Sequence, residues 1–288
     1  MHSSNPVFAR NDQFNGRGGQ ATATATDPSQ WTINLDNQPG ASTGTAPAST
    51  GRMTLDSVVE KTAITLGVVV AAAAVTWFML GSLYIGDSSV IDSDALATAF
   101  AFAMGGAIIG FVLALVNSFK KVISPALVLA YAAVEGVFVG ALSKVVSSYV
   151  GDPAIVFQAV LATFVAFAGT LAAYKFFNIQ VTDKFRKVVT ISIMSFAAVM
   201  LVNFVLSMTG VLESGGLRGF NTLGLVVSVF AVGLAVLMLI LDFDFVEKGV
   251  EAGLPARESW RAAFGLTVTV VWIYIEMLRI LAILRGGD

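Results

Sequence analysis

The sequence predicts an all-α membrane protein: a seven-transmembrane-helix bundle preceded by a disordered N-terminal tail. Three observations predict it. Hydrophobic residues make up 56% of the 288-residue chain and charged residues only 12%, where soluble domains carry about 25%. The mean hydropathy is +0.80. The apolar runs are long and do not alternate, so each one satisfies its backbone internally as a helix rather than as a barrel strand.

The tail is residues 1–52. It is rich in Asn, Gln, Gly, Ser, Thr and Ala, and it holds four of the seven prolines (Pro6, Pro28, Pro39, Pro47). No apolar periodicity appears there, and such a stretch cannot bury enough surface to fold. No apolar run follows Met1, so the start does not read as a signal peptide. A plain linker is the simplest expectation for it, and a handle for a protein partner is the other.

Residues 53–288 form the transmembrane domain. Thr54 to Lys61 reads as a short amphipathic lead-in. Seven spans are then expected near 62–85, 95–118, 125–149, 154–177, 187–210, 219–245 and 260–284. Each is long enough to cross ~30 Å at about 1.5 Å per residue. Turn residues separate them: Gly86-Asp87-Ser88-Ser89, Ser124-Pro125, Gly151-Asp152-Pro153, Glu213-Ser214-Gly215-Gly216 and Gly253-Leu254-Pro255. Short links make the second, third and fourth spans antiparallel neighbours. Small residues let helices approach closely in a bilayer. Gly106-x-x-x-Gly110, Gly136-x-x-x-Gly140 and the run Ala71–Ala74 fit that role, and intramolecular seams are expected from them.

Lysine and arginine set the orientation. With a cytoplasmic N-terminus, thirteen of the 17 Lys and Arg residues fall inside and four (Lys144, Arg218, Arg279, Arg285) outside. The expected location is the plasma membrane, multi-pass, with the C-terminus outside.

Several chemistries are excluded. There is no cysteine, and the one histidine is His2, so thiolate, disulfide and histidine-based sites are absent from the spans. No lysine follows Lys248, which removes a retinal-type Schiff base from the last span. A P-loop is absent. The net charge of −2 argues against a nucleic-acid partner. No enzyme activity and no bound cofactor are expected.

What remains is a set of carboxylates. A charge inside a span costs roughly 2.5–3.5 kcal/mol on insertion scales, so it is a functional candidate by default. Asp242 and Asp244 end the sixth span, about 200° apart on a helix, so one faces the interior and the other faces elsewhere. Glu276 lies in the seventh, with Arg279 one turn on and able to pair with it. Glu135 stands directly before the Gly136-x-x-x-Gly140 seam. Lys144 and Lys175 are expected to snorkel to the interfaces. Asn117, Gln158 and Asn203 are expected to bridge helices. Each carboxylate also has a structural alternative: Asp242 and Asp244 as a helix cap, Glu276 with Arg279 as an ion pair, Glu135 as a hydrogen-bond partner. Taken together, Asp242 and Glu276 can share a proton at lower pH and repel at higher pH. Two carboxylates also suit a hard cation such as Ca²⁺. That is a pH-gated cation path.

The residues that carry a resemblance are now in place. They are Tyr131-Ala132-Ala133-Val134-Glu135-Gly136, Leu241-Asp242-Phe243-Asp244 and Tyr274-Ile275-Glu276 through Arg279. With seven spans and an acid in each of the last two, residues 52–288 resemble the Bax inhibitor-1-like (transmembrane Bax inhibitor motif) family, bacterial branch. The stretches Ser4–Phe8 and Thr50–Thr54 are similar to an actinobacterial-type subgroup. The resemblance implies a bundle with the last helix central and the other six around it. It implies a pH-sensitive passive Ca²⁺ leak whose dyad is Asp242 and Glu276, with protons and Ca²⁺ as its ions. Asp244, Arg279 and Glu135 are supporting residues. Three departures stand out: the last-helix acid is Glu276 where Asp is usual, the stretch between the two acids is long, with extra polar sequence around Lys248–Ser259, and Asp244 adds a carboxylate. The alternative function is a membrane-embedded stress or protease regulator that acts by protein contact.

Overall fold

The computed structural model describes residues 51–86 and 90–286. The tail before residue 51 and the Asp87–Ser89 turn lie outside the described residues. Seven helices follow in order: α1 Leu55–Met79, α2 Ser93–Phe119, α3 Pro125–Val150, α4 Ala154–Phe176, α5 Asp183–Met208, α6 Thr222–Glu251 and α7 Glu258–Arg285. A 3₁₀ turn, Glu213–Arg218, sits between α5 and α6. All seven are long and apolar enough to span a bilayer, and large apolar side chains such as Phe78, Ile108, Phe157 and Phe230 face outward. This is a multi-pass membrane protein.

Three boundaries differ from the sequence expectation by six residues or more: the first helix begins at Leu55 and ends at Met79 where a span near 62–85 is expected, and the sixth runs past 245. The lead-in before the first span is already α1. Thr54 and Ser57 form a reciprocal capping box at its start, which satisfies amides that would otherwise be orphaned. The sixth helix runs on to Glu251. Lys248 pairs with Asp244 at i,i+4, so the polar stretch after the carboxylates is helical and Asp242 and Asp244 lie within a helix rather than at its end. The α3 terminus matches expectation: Pro125 begins it and Gly151, at φ 74°, closes it. That left-handed conformation suits glycine.

Helix α7 is central. It packs directly against α1, α3, α4 and α6. The expectation that all six others surround it needs a correction: α2 packs behind α3, and α5 packs on α6. Phe196 of α5 reaches α7 through a ring stack on Trp272, 6.2 Å between centroids. Hydroxyls fix the register of α7. Ser57 and Thr65 of α1 meet Ser259 and Thr267 of α7 at 2.6 and 2.8 Å, both at a sequence offset of 202. The constant offset means that α1 and α7 run parallel. From α3, Ser143 meets the Tyr274 hydroxyl at 2.6 Å.

The glycine seams are intramolecular. A Cβ on Gly136 would lie 2.6 Å from the Ala72 Cβ, and one on Gly140 2.8 Å from the Ala73 Cα. The Ala71–Ala74 run and the α3 glycines are thus two sides of one contact. On the opposite side of α3, a Cβ on Gly106 would lie 2.9 Å from the Phe138 amide nitrogen. The expected α3–α4 neighbourhood is weak by comparison. Helix α4 touches α3 slightly and packs on α7 and α6, with Phe167 edge-on to Phe243 at 5.6 Å.

Two of the three bridging amides, Asn117 and Gln158, join spans as expected, and Asn203 bonds the turn after its own helix instead. Asn117 donates to the Leu113 and Leu127 carbonyls, joining α2 to α3. Asn203 holds the 3₁₀ turn through Gly215 and Leu217. Gln158 accepts from Arg285 at 2.6 Å, joining α4 to α7. Before α1, the Met53 amide donates to the Leu254 carbonyl at 2.6 Å and the Ala256 amide to the Gly51 carbonyl at 2.7 Å. This short strap ties the start of α1 to the α6–α7 link and buries Met53.

Two neighbouring glycines make the seam testable. A Cβ on Gly105 meets nothing within 4 Å, so Gly105→Ala should leave the thermal midpoint of detergent-solubilised protein unchanged or slightly raised. Gly106→Ala should lower it, at a cost of ~1–3 kcal/mol from overpacking. Equal midpoints for the two variants would contradict the seam.

Candidate functional site

Three consecutive residues of α6 aim at three different helices, because each step turns the helix by about 100°. Asp242 faces α7. Its Oδ2 accepts from the Thr269 hydroxyl at 2.6 Å, and its Oδ1 occupies the space that a side chain on Gly265 would fill, 3.3 Å from an ideal Cβ there. Phe243 faces α4, against Phe167 and Tyr174. Asp244 faces α5. It is 4% exposed and takes Arg186 at 2.6 Å and Lys248 at 2.8 Å.

The two aspartates therefore differ in kind. Asp244 is buried with two cations, which compensates its charge and joins α5 to α6; losing one member of such a group is costly. Asp242 has, among the described residues, one hydroxyl donor and no cation. The expectation that only one of the pair would be interior needs refining, since Asp244 is deeply buried on its own side of the helix.

Glu276 is 1% exposed. Its Oε1 accepts from Arg218 at 2.7 Å, and its Oε2 is buried with no hydrogen-bond partner among the described residues. The cation that sequence spacing favours, Arg279, goes elsewhere. Arg279 donates to the Ser228 hydroxyl at 3.0 Å, to the Gly219 carbonyl at 3.0 Å and to the Arg218 carbonyl. Arg279 thus holds the loop that delivers Arg218, and Arg218 holds Glu276. Gly224 admits this arrangement, since a Cβ there would lie 3.1 Å from Arg279 Nη2. Arg218 was missed in the sequence as a site residue. The available signal was a lone arginine beside Gly215-Gly216 in a stretch otherwise poor in cations.

The structure does not bring Asp242 and Glu276 into contact. Asp242 is level with Thr269, and Glu276 follows Thr269 by two turns, a rise of ~10 Å. A shared proton or a shared Ca²⁺ cage between them is not present in this conformation. Among the described residues, no group of three or more Asp, Glu, His or Cys side chains converges to hold a metal ion. The two carboxylates instead mark two depths along the central helix. Glu135 belongs to a different contact. It points at α2, where a Cβ on Gly110 would lie 2.9 Å from its Oε2, while the adjacent Gly136 faces α1.

The Arg218–Glu276 pair yields a double-variant prediction. Arg218→Gln leaves a buried carboxylate without its cation and should destabilise by up to ~3 kcal/mol. Adding Glu276→Gln should restore most of the stability. Thermal unfolding of the single and double variants reads this directly; additive losses would contradict the pairing.

A search of curated proteins found no match to this chain. The family model described as Bax inhibitor 1 like matches residues 5–286. The match spans nearly the whole chain and takes in most of the polar stretch before residue 52. The seven spans, the central last helix and this match agree: the chain belongs to the Bax inhibitor 1 like family.

Proposed function

We propose that the protein is a passive, pH-sensitive Ca²⁺ leak in the plasma membrane, with Asp242 and Glu276 as two stations on one path beside α7. The observation that carries this reading is the unused acceptor capacity of both carboxylates. Among the described residues, Asp242 lacks a cation and Glu276 Oε2 lacks any partner. A conducting path needs sites that attract a cation without trapping it, and carboxylate oxygens suit Ca²⁺. Two separated stations meet that need better than one closed cage.

The two ends are latched by different ion pairs. Arg218 on Glu276 closes the end where α7 finishes, and Arg186 and Lys248 on Asp244 brace the end where α7 begins. Opening requires Arg218 to leave Glu276 to the cation. The sign of the pH effect follows from charge. An ionised Asp242 attracts the ion; a protonated one is neutral and offers it nothing. Flux is therefore faster at neutral than at acidic pH. The lysine and arginine distribution supports a cytoplasmic N-terminus and an external C-terminus. The reading includes no enzymatic step and no cofactor.

The test is flux into Ca²⁺-free liposomes that hold the full chain and an internal Ca²⁺ indicator. Wild type should admit Ca²⁺ down its gradient, faster at neutral pH. Asp242→Asn should reduce the rate and flatten the pH profile, and Glu276→Gln should also flatten it. An unchanged pH profile in both variants would sink the proposal.

A further inference from the structure

We propose that the groove between α1 and α4 is a binding site for one anionic phospholipid, with an acyl chain in the groove and the phosphate at Lys144. Among the described residues, the backbones of α1 and α4 make no close approach to each other. Between them lies a cavity of about 340 Å³, floored by Val139, Gly140 and Ser143 of α3 and Val271 and Tyr274 of α7. Its walls include Val70 and Ala74 of α1 and Phe164 of α4, all exposed on the outer, membrane-facing side. The volume falls in the range of built ligand pockets. Because the cavity opens sideways at bilayer depth, the molecule available to fill it is a lipid chain.

The head of the site lies where Trp77 joins this groove to a second cavity of about 420 Å³. That cavity has more polar groups than the groove, with Ser147, Ser148, Tyr84 and Lys144 along it beside Trp77, Phe78 and Leu83. Lys144 lies six residues before the end of α3, a depth of ~9 Å. It does not stretch freely to the interface, as snorkelling would have it. Its ammonium sits over the Trp77 ring, 4.4 Å from the centroid, at the junction of the two cavities. Among the described residues it has no carboxylate partner. Asp152, the acid nearest in sequence to this rim, is taken by Arg285. A cation held half-buried above an apolar slot is the complement of a phosphodiester above an acyl chain. The slot exists because Gly140 draws α1 onto α3 while α4 packs on α7 and α6. The proposal rests on the membrane-spanning fold and is independent of ion conduction.

Native mass spectrometry of the full chain in neutral detergent tests it, with phosphatidylglycerol and phosphatidylcholine of identical chains as probes. Wild type should retain one phosphatidylglycerol, with a preference over phosphatidylcholine of about fivefold, the ratio one lysine supplies at an anionic headgroup. Lys144→Gln should still bind lipid but lose the preference. Ala74→Trp should fill the groove and lose both lipids; if that variant does not fold, Val70→Trp fills it from the same wall. Equal retention of the two lipids by wild type, an unaltered preference in Lys144→Gln, or full retention in the tryptophan variant would overturn the proposal. Retention of detergent alone with no phospholipid would do so too.

Discussion

The structure depends on one constraint: the polar groups of α7 need partners in a medium that supplies no water. In a bilayer an unsatisfied polar group costs several kcal/mol. Helix α7 carries Ser259, Thr267, Thr269, Tyr274, Glu276 and Arg279, and it cannot face lipid on any of those sides. Three of its neighbouring helices and the 3₁₀ turn answer one or two of them each. Helix α1 supplies Ser57 and Thr65, α3 supplies Ser143, α6 supplies Asp242 and Ser228, and the 3₁₀ turn supplies Arg218. The central place of the last helix is thus a consequence of its composition. The same pairings set its register against three helices at once.

Small residues then decide how the outer helices stand. Gly136 and Gly140 bring α1 onto one side of α3, and Gly106 and Gly110 bring α2 onto the other. These contacts are close enough that α3 has little surface left for α4. Helix α4 finds its partners in α6 and α7 through Phe167, Tyr174 and Gln158. The slot between α1 and α4 is the geometric remainder of two tight contacts made elsewhere.

Charge placement separates support from candidate chemistry. Asp244 and Asp152 have cations and join helices. Asp242 and Glu276 each keep an oxygen that the protein does not use fully. A buried carboxylate with spare acceptor capacity is where a proton or a cation gains most from entering. In the proposed leak, the ion pairs of Glu276 and Asp244 are what opening works against.

Much of this was legible in the sequence. Apolar length fixed seven spans, since a bilayer leaves helix as the one local solution for such runs. Glycine and alanine spacing identified both seams, because close approach requires small side chains on one helical face. The acids in α6 and α7 stood out through their cost alone. The tertiary structure decided the partners. Spacing puts Arg279 beside Glu276, yet Arg218 takes the carboxylate, because the turn after α5 folds back and Arg279 is occupied by that turn's carbonyls. Helical geometry set the angle between Asp242 and Asp244, while only packing assigned α7 to one and α5 to the other. The antiparallel order of α6 and α7 set Asp242 and Glu276 at different depths, since neighbouring helices fix how far apart in space two acids in separate segments must lie. Local pattern determines what each helix must satisfy, and only the assembled bundle determines which neighbour satisfies it.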